Sequence, residues 1–181
     1  MDTDSDDSIQ MSRMLILLDV FATRNRNGVI EGINRIAIYD FLLKYPYAFS
    51  NFIRRQELSI TIQNHLTDSL HSYETDSIES KTMKYNFAPW DYKYRRVISI
   101  LESKRLVDLQ IGSKKAILQI TELGTELAGK LYAQEQHQII KEKCKILKRH
   151  FSTWSQKRMV EKIYEVFPEI LQLKTELDVT E

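Results

Sequence analysis

The chain has 181 residues, of which 43% are hydrophobic and 28% charged. Its formal net charge is +1, so the chain as a whole is not a polyelectrolyte. Any affinity for nucleic acid must therefore come from local clusters of charge. A single cysteine, Cys144, excludes an intrachain disulfide and favours the reducing cytoplasm, and no apolar run approaches the roughly 20 residues that span a bilayer, so no membrane partner is expected.

The chain opens with an acidic segment and a short apolar helix. Four aspartates within residues 1–12 predict a disordered acidic leader. Behind it, Met14, Leu17, Leu18 and Phe21 recur at helical spacing, which predicts a helix with one buried face. A short apolar segment at residues 29–30 fits a strand that would pair beside a wing hairpin.

Residues 13–55 are predicted to form an N-terminal helical part. Between residues 33 and 45 the apolar side chains cover most of the helix, and Pro46 ends or kinks it. This density of aromatic residues has two interpretations, an ordinary core or a partly exposed face that docks a partner. The candidates for the docking face are Tyr39, Phe41, Tyr47 and Phe49.

Residues 56–82 are polar and aperiodic, which predicts an irregular connection, and residues 83–134 carry the clearest pattern in the chain. Asp91 stands as an N-cap before a helix whose apolar residues recur at i, i+3, i+4 and i+7. The period then changes to two on both sides of a basic tip that contains Lys114 and Lys115. Thr121 is expected to cap a second helix with leucines at positions 123, 127 and 131. Helix, hairpin and helix together predict a winged-helix-like module.

Residues 135–181 are predicted to form C-terminal helices that complete one compact unit, so the expected class is mainly α with a small β-hairpin wing. Ile140, Cys144, Leu147 and Phe151 keep helical spacing, while residues 135–158 contain seven cations and two anions. Such a segment can contact nucleic-acid phosphates or an acidic protein surface, or it can be a solvated face. Its apolar stripe favours a protein partner. The candidate DNA-binding or partner-binding residues of the whole chain are Arg95, Arg96, Lys114, Lys115, Lys141, Lys145, Lys148 and Arg149.

No constellation predicts catalysis, a metal or a cofactor. Residues 124–131 approach a phosphate-binding loop, but Leu131 replaces the hydroxyl residue that would hold magnesium, and both glycines fall inside a predicted helix. The four histidines have no cysteine or carboxylate at ligand spacing. We therefore expect a protein without enzymatic activity.

Two blocks of sequence carry a resemblance. The first reads IYDFLLKYP from Ile38 and is followed by Phe49; the second opens on Pro-Trp-Asp at residue 89 and ends on Thr121-Glu122, Gly124 and Ala128. Together they resemble the small middle components of bacterial ABC three-component systems, which include the Lamassu type of anti-phage defence. Further matching positions are Tyr94, Leu101, Glu102, Leu106 and Val107. Tyr39 replaces an aliphatic residue that is usual in the family, and the C-terminal third has no counterpart.

The resemblance implies a non-enzymatic subunit that works with an SMC- or Rad50-like coiled-coil ATPase and an effector, often a nuclease. Such a subunit would lie near the ATPase heads and link them to the effector or to double-stranded DNA. The residues alone leave another interpretation open, a free-standing winged-helix transcription regulator that would bind DNA as a symmetric dimer.

Overall fold

The computed structural model describes residues 3–22, 29–56, 93–112 and 116–168. Within these ranges the protein is mainly helical with a small three-stranded antiparallel sheet, which confirms the predicted class. The elements are α1 (Thr3–Ala22), β1 (Val29–Glu31), α2 (Ile33–Lys44), α3 (Pro46–Arg54), α4 (Lys93–Ser103), β2 (Val107–Ile111), β3 (Ala116–Ile120), α5 (Glu122–Leu131), α6 (Glu135–Phe151) and α7 (Gln156–Val166). The predicted connection at residues 56–82, except Gln56, lies outside the described residues, as do the Pro-Trp-Asp segment and the basic wing tip.

The chain divides into two compact units, whereas the sequence predicted one. The first unit contains Met1–Asp40 and Tyr92–Thr153, and the second contains Phe41–Asp91 and Trp154–Glu181. Each unit therefore joins segments that are far apart in sequence, and the boundary falls inside α2. A prediction that divides the chain into consecutive segments cannot represent such an arrangement.

Helix α1 is the centre of the first unit, where it contacts α4, α5, α6 and the sheet. These neighbours surround it, so Leu15 and Ile16 are buried together with the stripe that the sequence predicted. The helix begins at Thr3, so the prediction of a disordered leader over residues 1–12 is wrong for residues 3–12. Asp7 pairs with Arg96 of α4 at 2.8 Å, and negative charge near a helix N-terminus is favoured by the helix dipole.

The sheet has the order β1-β3-β2. Val107 of β2 lies opposite Ile120 of β3, as the predicted hairpin requires, and Ile30 of β1 lies opposite Leu118. The prediction of a short strand beside the hairpin is thus confirmed. Apolar side chains are buried at the base of the hairpin, but Ile111, next to the tip, is 83% exposed.

The turn between α4 and β2 has a conformation that is unusual for its residues. Arg105 has a φ of 58°, and its amide and that of Leu106 bond back to the carbonyls of Glu102 and Leu101 at 2.8 and 2.9 Å. This is a Schellman motif, in which glycine is the common residue at the left-handed position. The motif ends α4 sharply and directs the chain into the hairpin.

Helix α5 begins at the predicted cap and packs closely on that turn. The Thr121 side chain accepts a hydrogen bond from the Gly124 amide at 3.0 Å, which confirms the cap, and it donates one to the Arg105 carbonyl at 2.8 Å. Gly124 lies so close to the backbone that a Cβ atom there would be 2.2 Å from the Leu106 carbonyl oxygen. The face buried in this way carries Gly124 and Ala128 and not the leucines, because only small residues fit so near the backbone.

The second unit contains the last turn of α2 together with α3 and α7. Pro46 occupies the first turn of α3, where its missing amide hydrogen costs nothing, so it ends one helix and starts the next. The Phe41 ring packs edge-on against Phe167 at a centroid distance of 6.1 Å. Helix α7 is capped by Ser155, whose hydroxyl accepts from the Arg158 amide.

Candidate anion-binding site

Helix α6 has an apolar face and a basic face, and the structure uses them differently. Cys144, Leu147 and Phe151 are at most 1% exposed, because this face packs on α1 in the core of the first unit. The apolar stripe is therefore occupied within the chain and is not free for a partner. What α6 presents outward is its charge.

Four of the predicted cations lie around one cavity. Lys141, Lys145, Lys148 and Arg149 line a space of about 710 Å³ together with Asp19, Val20 and Ser152. The helical spacing of the four cations places them on the same side of α6, and the C-terminal part of α1 forms the facing wall. Among the described residues the wall thus contains four positive charges and one carboxylate.

Lys148 has a structural task at this wall. Its Nζ donates hydrogen bonds to the carbonyl oxygens of Val20 and Phe21 at 2.8 and 3.1 Å. These carbonyls belong to the last turn of α1 and have no partner within the helix. The lysine is therefore held in place by α1, and part of its charge is balanced by the negative end of the helix dipole.

Lys141 and Asp19 are connected through a tyrosine. The Lys141 Nζ lies 3.5 Å from the ring centroid of Tyr132, and the Tyr132 hydroxyl donates to Asp19 Oδ2 at 2.5 Å. Burial raises the pKa of Tyr132, and the hydrogen bond to Asp19 and its negative charge raise it further. The phenol therefore keeps its proton and donates a hydrogen bond to the carboxylate, which orients Asp19 on one side of the cavity.

Lys145 and Arg149 are the more accessible cations. Lys145 pairs with Glu142 at 2.5 Å, and both side chains are about half exposed, so the pair is weak and exchangeable. Arg149 is exposed. Burial lowers the pKa of the neighbouring His150, and the positive charge of Arg149 lowers it further, so this imidazole is mostly neutral at pH 7.

The other predicted cations lie elsewhere. Arg95 and Arg96 are exposed on α4, and Arg96 is held by its ion pair with Asp7. Neither arginine lines the cavity of α6. Lys114 and Lys115 belong to the residues that the structure does not describe. For all of these cations a binding role stays a prediction.

The aromatic docking face is corrected by the structure, because three of its four members are buried. Tyr39 and Phe49 are 0% exposed and Phe41 is 2% exposed, while Tyr47 is 40% exposed. The Tyr39 hydroxyl donates to the Phe151 carbonyl at 3.2 Å, so it helps to cap α6. Burial also raises the pKa of this phenol, against the opposing charge of Arg35. These aromatic residues form the cores of their own units and leave only Tyr47 for a partner.

The first unit contains a buried ion pair that the sequence did not predict. Arg13 of α1 and Asp40 of α2 are bonded through two parallel hydrogen bonds and are almost completely buried. A charged residue within an apolar stretch, as Asp40 is, indicates that a partner must exist. Its identity could not be predicted, because Arg13 lies 27 residues away.

The described residues contain no group of three or more His, Cys, Asp or Glu side chains that can hold a metal ion. The near-match to a phosphate-binding loop lies within α5, where the Gly124 amide is bonded to the Thr121 side chain. No helix in the described part of the chain is both long and apolar enough to cross a membrane.

Comparison with protein-family models, curated proteins and solved structures found no significant match.

Proposed function

We propose that this protein is a non-catalytic adaptor subunit of an anti-phage defence complex of the Lamassu type. It would connect the heads of an SMC-like coiled-coil ATPase to an effector nuclease, to DNA or to both. The support has two parts, the winged-helix-like framework of the first unit and an apolar surface on that framework.

Residues of the second matching block, which opens at residue 89, have structural roles in the winged-helix-like framework. Leu101, Leu106 and Val107 are buried, Thr121 caps α5, and Gly124 permits the close approach to the Leu106 carbonyl. These matching residues therefore maintain the junction of helix, hairpin and helix. They support a shared architecture, and the function must come from the surfaces that this architecture presents.

The observation that carries the proposal is the outer face of α5. Because the small residues of α5 face the core, its leucines project outward: Leu123 is 50% exposed and Leu127 is 36% exposed, one turn apart on the same side. Leu131 follows one turn later and is half-buried. Leucines at i, i+4 and i+8 are the anchors by which one helix packs on another, as a coiled-coil partner would require.

The test is capture of the ATPase. The chain should be co-expressed with an SMC-like coiled-coil ATPase of a Lamassu-type system, and the double variant Leu123→Ser/Leu127→Ser compared with Ile9→Ser/Ile111→Ser. The control removes two other exposed apolar side chains, at 60% and 83% exposure, outside α5. We expect the α5 variant to reduce capture by at least about tenfold, since central apolar anchors each contribute more than about 1 kcal/mol. Equal capture by both variants, or no capture by the unaltered chain, would contradict the proposal.

The exposed arginines of α4 favour a second candidate, a winged-helix transcription regulator. Helix α4 directly precedes the hairpin, which is the position of the recognition helix in winged-helix proteins, and it exposes Arg95 and Arg96. Such a regulator would form a dimer and prefer one palindromic sequence. Sedimentation of the free chain and selection of bound sequences from a random duplex pool distinguish the candidates, because an adaptor is expected to select no palindrome.

A further inference from the structure

We propose that the cavity between the C-terminal part of α1 and the basic face of α6 is a phosphate-binding site, and that it receives phosphates of a nucleic-acid backbone. This inference concerns the isolated chain and does not depend on the adaptor proposal. Its support comes from the charges around the cavity, from the length of the row of cations along α6 and from the lack of large apolar side chains among the described lining residues.

The charges around the cavity are predominantly positive and are held on rigid elements. Asp19 is the one carboxylate among the described lining residues, and it accepts a hydrogen bond from Tyr132. Lys148 is anchored to α1 by two carbonyl oxygens, so it would meet a ligand without a large loss of side-chain entropy. Lys145 and Arg149 extend into solvent and can approach an anion as it enters.

The row of cations is as long as a short run of backbone phosphates. Lys141, Lys145 and Arg149 follow one another at i, i+4 and i+8, so they extend along about 12 Å of the helix. One strand of a duplex carries one phosphate per about 3.4 Å of helix axis, so this length corresponds to about three phosphates. A row of cations on one helix face is thus long enough to follow a strand and not only to hold a single ion.

The kinds of side chain that line the cavity argue against a protein partner at this place. Protein interfaces usually contain apolar or aromatic anchors at their centre and few charged residues there. The only aliphatic side chain among the described lining residues is that of Val20, which is 6% exposed. The stripe of Cys144, Leu147 and Phe151, which favoured a protein partner in the sequence, is buried against α1. Charge without anchors is typical of backbone recognition.

The experiment is a titration of the full chain with a short fluorescent duplex, read by anisotropy at about 50 and about 200 mM salt. The test variant is Lys145→Ala/Arg149→Ala, because Lys148 and Lys141 also stabilise the fold through α1 and Tyr132. The control is Lys130→Ala/Lys157→Ala, which removes the same charge from side chains that are 70% and 86% exposed and do not line the cavity. Melting curves establish that both variants are folded.

For three phosphate contacts, affinity should decrease about 40-fold between the two salt concentrations, and for the test variant only about 3- to 4-fold. The control should retain the steep dependence of the unaltered chain. Competition with inorganic pyrophosphate separates the two sources of phosphate. The unaltered chain could bind pyrophosphate but not the duplex, and the test variant could bind neither. In that case the cavity is a phosphate-binding site whose ligand is a free phosphate compound and not a nucleic acid.

The inference is overturned if neither ligand binds or if the test variant binds both as the control does. It is also overturned if the test variant loses capture of the ATPase but binds the duplex normally, because the cavity would then be a protein site. The adaptor proposal fails by a different result: the unaltered chain then does not capture the ATPase but still binds the duplex.

Discussion

The guanidinium of Arg13 and the carboxylate of Asp40 form a bidentate ion pair inside the first unit, with Nε–Oδ1 and Nη2–Oδ2 distances of 2.5 and 3.1 Å. The two side chains are 7% and 0% exposed, and they join the central helix α1 to α2. A buried pair of this kind fixes the register of two helices, but its desolvation offsets much of its attraction. Losing one partner is therefore worse than losing both.

We predict that Asp40→Leu alone destabilises the protein by about 3–5 kcal/mol, because it leaves the Arg13 charge buried and unpaired. The double variant Arg13→Met/Asp40→Leu should recover most of this loss, since it replaces both charges with apolar side chains of similar size. Urea unfolding of the two single variants and the double variant measures the coupling. Additive losses in the double variant would mean that the pair has no mutual dependence.

The two glycines of α5 provide a matched pair for a packing prediction. At Gly124 a Cβ would lie 2.2 Å from the Leu106 carbonyl oxygen and 2.7 Å from Ile120 Cγ1, whereas at Gly129 it would meet nothing within 4 Å. Gly124→Ala should therefore destabilise the protein by about 1–3 kcal/mol through overpacking. Gly129→Ala should stabilise it by up to about 1 kcal/mol, because alanine is the better helix former. Thermal unfolding that ranks the variants in the reverse order would refute the packing assignment.

Arg105 is expected to be a site of backbone strain. Its φ of 58° lies in the left-handed region, which costs a non-glycine residue about 1–2 kcal/mol. Arg105→Gly should therefore raise the free energy of unfolding by about 1 kcal/mol, although glycine also loses more entropy on folding. Lys104→Gly, at the preceding residue, serves as the control and should lower it. Chemical denaturation checks both, and a destabilised Arg105→Gly variant would show that the arginine side chain contributes more than its strained backbone removes.

These relationships show how far the sequence predicts the fold. The strand at Val29, its pairing beside the hairpin and the cap at Thr121 follow from local patterns, and the structure confirms them. The outward leucines of α5 were not predictable, because burial depends on how closely a small residue such as Gly124 approaches a distant backbone. Pairing of Asp40 with Arg13 depends likewise on tertiary packing, which local periodicity does not determine.

The candidate site was predicted in part. A run of cations on α6 was visible in the sequence, and the structure gathers Lys141, Lys145, Lys148 and Arg149 around one cavity. Its facing wall was not visible, because Asp19 lies on α1, more than a hundred residues earlier in the chain. The prediction of an aromatic docking face was wrong for a related reason, because a sequence rich in aromatic residues looks the same in a core and in an interface.

The thiol of Cys144 should make stability depend on pH at alkaline values. Burial raises the pKa of this thiol, and the negative charge of Asp40 raises it further. In the unfolded chain the thiol ionises above about pH 8.5, while in the folded protein it stays neutral, so stability is retained below that pH and lost as the pH rises. The stability difference between the unaltered chain and Cys144→Ala, measured by urea unfolding, should therefore narrow above about pH 8.5. Curves that remain parallel from pH 7 upward would mean that the thiol is not protected by the fold.

The pKa of the His150 imidazole should change when an anion binds at the cavity. Burial lowers its pKa, and the positive charge of Arg149 lowers it further. Because the depressed pKa belongs to the folded state, the corresponding stability is present above the ordinary histidine pKa near 6.5 and is lost as the pH falls below it.

Arg149→Ala should raise the His150 pKa, as measured by NMR titration of the ring protons, whereas Lys145→Ala should change it less. A phosphate bound at Arg149 would compensate the same charge, so pyrophosphate or a short duplex should raise the His150 pKa in the unaltered chain and leave it unchanged in Arg149→Ala. An equal rise in both proteins would place the bound anion away from Arg149.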